Sequence, residues 1–174
     1  MIPASATSLD VAVWFLDRAR AEDTYLQPRK LQCLLFLAQA HFAAAYGGRP
    51  LMPSFFVVDE GGPMDPNLYR ILESGRPDFI ATPLPEEVVA FLGAVWRRYR
   101  DADALRLDQI IARHGANEEP VRRRNRSEVS LEAMRRMFGR PGEGRTAGPR
   151  VVRTFSGREV TITAWCPTRK TPAR

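Results

Sequence analysis

The sequence predicts a mainly α-helical protein, a compact bundle of about six helices with a small antiparallel β element. Three observations lead there. Leu31, Leu34, Leu35, Ala38, Phe42 and Ala45 recur at helical spacing behind Pro28 and stop at Gly47-Gly48. Several other segments pair a helical apolar period with a start signal such as Asp65-Pro66 or Ser130. Strand-like patterning is confined to a short stretch near residues 54–58 and to a C-terminal hairpin over 151–166.

In chain order, Thr7 and Asp10 stand three apart as a capping box requires, and open a helix from Ser8 to about Ala21. Leu9, Ala12, Val13, Leu16 and Ala19 form its apolar face, and Glu22-Asp23-Thr24 ends it. Pro28 tolerates the first turn of the second helix, the candidate core helix. Within it Gln32, Gln39 and His41 lie between apolar positions, so their polar atoms need local partners.

Ser54 to Val58 reads as a brief strand entering the turn Asp59-Glu60-Gly61-Gly62-Pro63. Asp65 caps a helix that starts at Pro66, carries Leu68, Tyr69 and Leu72, and stops at Ser74-Gly75. After a proline-rich loop to Pro85, a fourth helix runs from Glu86 to about Asp103, acidic at its start and basic near its end. Leu105 to His114 is a fifth, with His114 placed against the helix dipole, and Asn117 to Arg126 reads as a loop. The sixth follows Ser130, with Leu131, Met134, Met137 and Phe138 on one side. The domain organisation is thus a helical domain over 8–138, a Gly/Pro/Arg linker or loop over 139–150, and the hairpin over 151–166 packed on the same domain. Thr161 to Trp165 either completes the domain's own small sheet with Phe55 to Val58 or pairs with a partner's sheet edge.

Charge is unevenly spread. Residues 1–90 hold 7 Lys/Arg against 11 Asp/Glu, and residues 91–174 hold 19 against 9, within a net charge of +6. The basic half fits an acidic or polyanionic partner, or a set of solvated helix faces. Four guanidinium groups crowd into Arg122-Arg123-Arg124-Asn125-Arg126. Nucleic-acid binding is one reading of that run, although no aromatic stacking residue or helix-turn-helix adjoins it in sequence. The two cysteines, Cys33 and Cys166, fit a reducing compartment rather than a disulfide framework. No apolar run approaches the roughly 20 residues of a membrane span, and Met1 to Asp10 lacks a signal-peptide pattern, so the expected location is the cytoplasm.

Chemistry-bearing patterns are sparse. The two histidines and two cysteines have no metal-ligand spacing, and neither a phosphate-binding glycine loop nor a nucleophile elbow is present. The expectation is a protein without enzymatic activity, catalytic residue, metal or cofactor, working by surface recognition.

Specific residues go further. Pro28, Lys30, Leu31, Gln32, Leu34, Leu35, Ala38 and Gln39 form a helix opening, and Gly62, Pro63, Pro66 and Tyr69 follow about thirty residues later. With Val11, Ala12, Phe15 and Leu16 upstream, and Leu107, His114 and Glu119-Pro120 downstream, these resemble the Panacea (SocA-like) antitoxin family over residues 8–138. Glu60-Gly61 replaces an aromatic residue usual before Gly-Pro, and Val121 stands where a tryptophan is expected. The resemblance implies a protein-interaction domain that neutralises a cognate toxin by direct binding. In at least one relative it implies an adaptor that hands the toxin to a cytoplasmic protease. Candidate partner-binding residues are Asp59, Glu60, Gly62, Pro63, Asp65 and Tyr69, together with Arg122, Arg123, Arg124 and Arg126. Nucleic acid is the alternative partner, as is an interaction module outside toxin–antitoxin systems; no membrane partner is expected.

Overall fold

Every residue from Leu31 to Ala40 is buried in the computed structural model, which describes residues 1–75, 79–139, 150–153 and 159–162. They lie in α2 (Pro28–Ala45), an 18-residue helix enclosed on all sides where the sequence pattern indicated one apolar stripe. Around it stand α1 (Ser8–Ala21), α3 (Pro66–Leu72), α4 (Glu86–Tyr99), α5 (Ala104–His114) and α7 (Leu131–Phe138), with the strand β2 (Gly62–Met64). The alanines of α2 let these elements approach closely, while Leu34, Leu35, Phe36 and Leu37 fill the layers between them at 0 % exposure.

The polar residues of α2 find the partners that burial demands. Gln39 Oε1 accepts from the amides of Leu51 (3.0 Å) and Met52 (3.1 Å), and its Nε2 donates to the Met52 carbonyl (3.1 Å). One side chain therefore pins the segment that leaves α2. The capping box of α1 forms as the sequence requires, with the Asp10 amide donating to Thr7 Oγ1 at 3.0 Å. Asp10 is itself buried, and its Oδ1 accepts from the Thr82 amide at 2.7 Å, tying the approach to α4 back to the start of α1.

At the other end of α1, Trp96 Nε1 donates to Glu22 Oε2 at 3.0 Å. That hydrogen bond, with Arg18 and Arg100 nearby, holds the Glu22 carboxyl below its ordinary pKa despite some desolvation. The fourth helix ends at Tyr99 rather than near Asp103. Asp103 Oδ1 accepts from the Arg106 amide at 2.7 Å as the cap of α5, so the chain turns at 100–103. Lys30 Nζ donates to the exposed carbonyl of Arg100, a cation at a helix C-terminus.

Three further expectations are corrected. The strand near 54–58 begins only at Val57, because Phe56 turns inward against Phe36 with ring centroids 5.4 Å apart. This strand, β1 (Val57–Asp59), folds straight back on β2, pairing Val57 with Met64 and Asp59 with Gly62. The Gly-Pro turn of the sequence reading is therefore itself a strand. Residues 117–126 are not all loop: α6 (Glu119–Arg123) forms there, started by Pro120 in its first turn and anchored by buried Val121. With α6 the described residues hold seven α-helices, in keeping with the bundle of about six that the sequence predicts. Gly115 explains why α6 fits beneath α5, since a Cβ there would meet Val121 Cγ1 at 2.6 Å.

Residues 1–139 form one unit and 140–174 another. In the second, β3 (Arg150–Arg153) pairs antiparallel with β4 (Glu159–Ile162), Arg150 opposite Ile162 and Arg153 opposite Glu159. The expected hairpin is present in those strands. Its connection at 154–158, its end at 163–166 and the linker over 140–149 lie outside the described residues. Among the described residues the strands form two two-stranded sheets, β1–β2 and β3–β4. No described helix is long and apolar enough to cross a membrane.

Candidate functional site

The N-terminal end of α2 forms one wall of the site. Gln32 is buried there, and its Oε1 accepts from the Asp65 amide at 2.9 Å. Asp65 is 2 % exposed and caps α3, its Oδ1 accepting from the amides of Asn67 (3.0 Å) and Leu68 (3.2 Å). A glutamine on one helix and a cap on the next thus set the pitch of α3. That orientation leaves Tyr69 and Arg70 exposed at the rim.

Beneath the β1–β2 turn lies an ionic cluster. Asp108 of α5 is 7 % exposed, and both of its oxygens lie 3.0 Å from Arg124 Nη2. Arg29 Nη2 approaches the same carboxylate at 3.7 Å. A buried carboxylate is tolerable because it is paired and hydrogen-bonded. Arg124 reaches it by ending α6 in the left-handed region, φ 51°, and its Nη1 also donates to the Asp59 carbonyl at 3.3 Å. Gly62 lies directly over Asp108: its φ is +106°, and a Cβ would stand 3.1 Å from Asp108 Oδ1. The Asp59 carboxylate accepts from the Gly61 amide at 2.8 Å and meets Arg126 Nε at 3.4 Å.

These elements enclose an open groove of about 780 Å³ between the start of α2, the β1–β2 turn and α3. It adjoins a smaller hollow of about 330 Å³, whose walls include Leu16, Leu26, Leu31 and Leu72. Tyr25 and Tyr69 border both spaces, with Tyr25 80 % exposed and Tyr69 44 %. Of the residues singled out in the sequence, Asp59, Gly62, Pro63, Tyr69 and Arg126 line the groove together. Arg124 lies under it in the ionic cluster, and Asp65 is inside as a helix cap. Glu60 is exposed at the tip of the turn. Arg122 and Arg123 are exposed on α6, Arg123 Nε pairing with Glu119 Oε1 at 2.9 Å.

Tyr25, Arg29, Arg70 and Asp108 escaped the sequence reading. Tyr25 sits in a connection that carried only a stop signal for α1, and Asp108 is a lone acid among apolar positions of α5. The second offered a usable clue, because an acid in that pattern calls for a buried cation.

Among the described residues, Cys33, His41 and His114 are engaged in packing and hydrogen bonds within the fold. Cys33 is fully buried on α2, and burial, with a smaller contribution from Asp108, pushes its thiol up to about 12. His41 Nε2 and the Tyr99 hydroxyl are 2.7 Å apart, and burial, reinforced by Arg98 and His114, brings the His41 pKa down to about 4. His114 Nδ1 lies 3.1 Å from the Met137 carbonyl, and the two imidazoles flank Phe138 at 4.4 and 4.5 Å. Among the described residues no group of three or more His, Cys, Asp or Glu side chains could hold a metal ion.

No family model matches the chain, and no solved structure matches it. Among curated proteins it is similar to Antitoxin SocA of Caulobacter vibrioides (strain NA1000 / CB15N), with 31 % identity over 102 residues. That alignment takes in 58 % of this chain and 54 % of the relative, so the chain spans about half the length of the curated protein it matches. The SocA-like antitoxin family is the one this chain resembles, on its own residues and on its curated relative alike.

Proposed function

We propose that the chain is an antitoxin-type protein-interaction module that neutralises a cognate toxin by binding it directly. The observation that carries this reading is the 31 % identity to Antitoxin SocA. The physical chemistry of the groove supports it. Its rim offers tyrosine and arginine, the side chains that most often supply binding energy at protein interfaces. The Cys33 thiol and the two imidazoles, which do not line the groove, are occupied in packing rather than aimed at a shared reaction centre. The protein acts without catalysis, in the cytoplasm, by covering the toxin or by presenting it to a protease as an adaptor.

Co-expression with the product of the adjacent reading frame is the direct test. The expected result is rescued growth and a complex that elutes as one species from size exclusion. A shortened toxin half-life that depends on this chain identifies the adaptor mode, and an unchanged half-life identifies simple covering. Failure to rescue growth, with no complex formed, overturns the antitoxin reading.

A further inference from the structure

The geometry points to an acidic segment of the toxin, carrying one apolar anchor residue, as the occupant of the groove between Tyr25 and Tyr69. This inference rests on the antitoxin reading and specifies its contact surface. Three guanidinium groups line the groove, from Arg29, Arg70 and Arg126, against the single carboxylate of Asp59. Their charge is incompletely answered from within the protein. Arg70 makes no ion pair among the described residues and is exposed. Arg29 reaches Asp108 only at 3.7 Å, behind Arg124 at 3.0 Å, and is 45 % exposed. Arg126 is 74 % exposed and touches Asp59 at 3.4 Å. A partner carboxylate entering between them completes pairs that the fold leaves half made.

The anchor follows from the adjoining hollow. Leucine side chains line it and the two tyrosines stand at its mouth, so it takes one aliphatic or aromatic side chain and excludes water from it. The wall presented by α2 is already rigid through the Gln32–Asp65 hydrogen bond, which lowers the ordering cost of docking. A nucleic acid fits less well. A leucine-lined hollow offers a base edge no hydrogen bonds, whereas it suits the apolar anchor of a peptide.

The test uses the full chain in two arms. In the first, a displayed library of random twelve-residue peptides is selected on the wild-type protein and counter-selected on Tyr69→Ala and Arg70→Glu. The expected winners carry one large apolar residue flanked by Asp or Glu, bind at least tenfold more weakly to either variant, and weaken as salt rises. Winners without acidic residues, winners indifferent to both variants, or no winners at all overturn the inference. So does tighter binding of a single-stranded oligouridine, or self-association through the groove. In the second arm the two variants enter the growth-rescue assay beside Arg122→Glu/Arg123→Glu. Rescue lost in the groove variants and kept in the α6 variant supports the inference, provided thermal midpoints stay within a few degrees of wild type. Rescue kept in the groove variants overturns the groove while leaving the antitoxin reading intact. Failure of the wild type itself overturns the antitoxin reading, and the peptide arm still decides the chemistry of the groove.

Discussion

Two residues of α2 show how single polar atoms hold this fold. Gln39→Leu keeps the side-chain size but removes the acceptor shared by the Leu51 and Met52 amides and the donor to the Met52 carbonyl. Each buried group left unpaired costs about 1–3 kcal/mol, and partial relaxation brings the expected loss to about 3 kcal/mol, read as a shift in the urea midpoint. His41 acts through pH. Its folded pKa of about 4 lies below the ordinary value near 6.5, so the unfolded chain takes up the proton first as pH falls. Stability from this site is complete above about pH 6.5 and declines between 6.5 and 4, by up to about 3 kcal/mol. Arg98 and His114 add to the penalty on the charged imidazole, and Tyr99 holds the ring in place. In His41→Gln, which retains a polar partner for Tyr99, the fall in urea midpoint between pH 7 and pH 4.5 is expected to shrink. An identical fall in both proteins would exclude His41 as the titrating group.

At the scale of elements, legibility followed local signals. Start signals were local and were readable: Thr7 with Asp10 for α1, Pro28 for α2, Asp65-Pro66 for α3 and Ser130 for α7. What escaped was non-local. Helix α6 has a buried Val121 and a proline start, but its five residues are too few for a visible period, and its packing depends on Gly115. Strand β2 contains a glycine and a proline, which sequence reasoning assigns to turns, and it exists because β1 pairs with it. The site was half legible for the same reason. The 59–69 segment and Arg124 were singled out in sequence, whereas Asp108, which joins them underneath, depends on three elements meeting. That junction predicts a coupling. Arg124→Ala leaves Asp108 with only the longer contact to Arg29, an expected cost of about 2 kcal/mol. Adding Asp108→Ala removes the stranded carboxylate, so the double variant is expected to be more stable than the two separate losses summed. Strict additivity in denaturant unfolding would show that α5 and α6 are not joined through this pair.

Across the helical unit, stability is graded, and the gradient runs through the groove. Helix α2 is surrounded by α1, α3, α4, α5, α7 and β2, so its amides are exposed only when the whole unit opens. Helix α3, on the opposite wall, has seven residues and buries only Leu68. It holds its place through the Asp65 cap and the Gln32 hydrogen bond. Hydrogen exchange is therefore expected to be slowest in α2, at the free energy of global unfolding, and at least about tenfold faster in α3 through local opening. A docking surface with one fixed wall and one yielding wall can select a partner on its anchor and then close on its charges. A ligand raises the free energy of every opening that releases it by one and the same increment, and leaves other openings unchanged. A ligand seated between the two walls is released by local opening of α3 as well as by global unfolding. With a toxin or a selected acidic peptide bound, protection is therefore expected to rise in α3 and α2 by the same increment, so that the gap between them is kept. A rise in α2 alone, with α3 unchanged and the gap widened, would place the partner on another face.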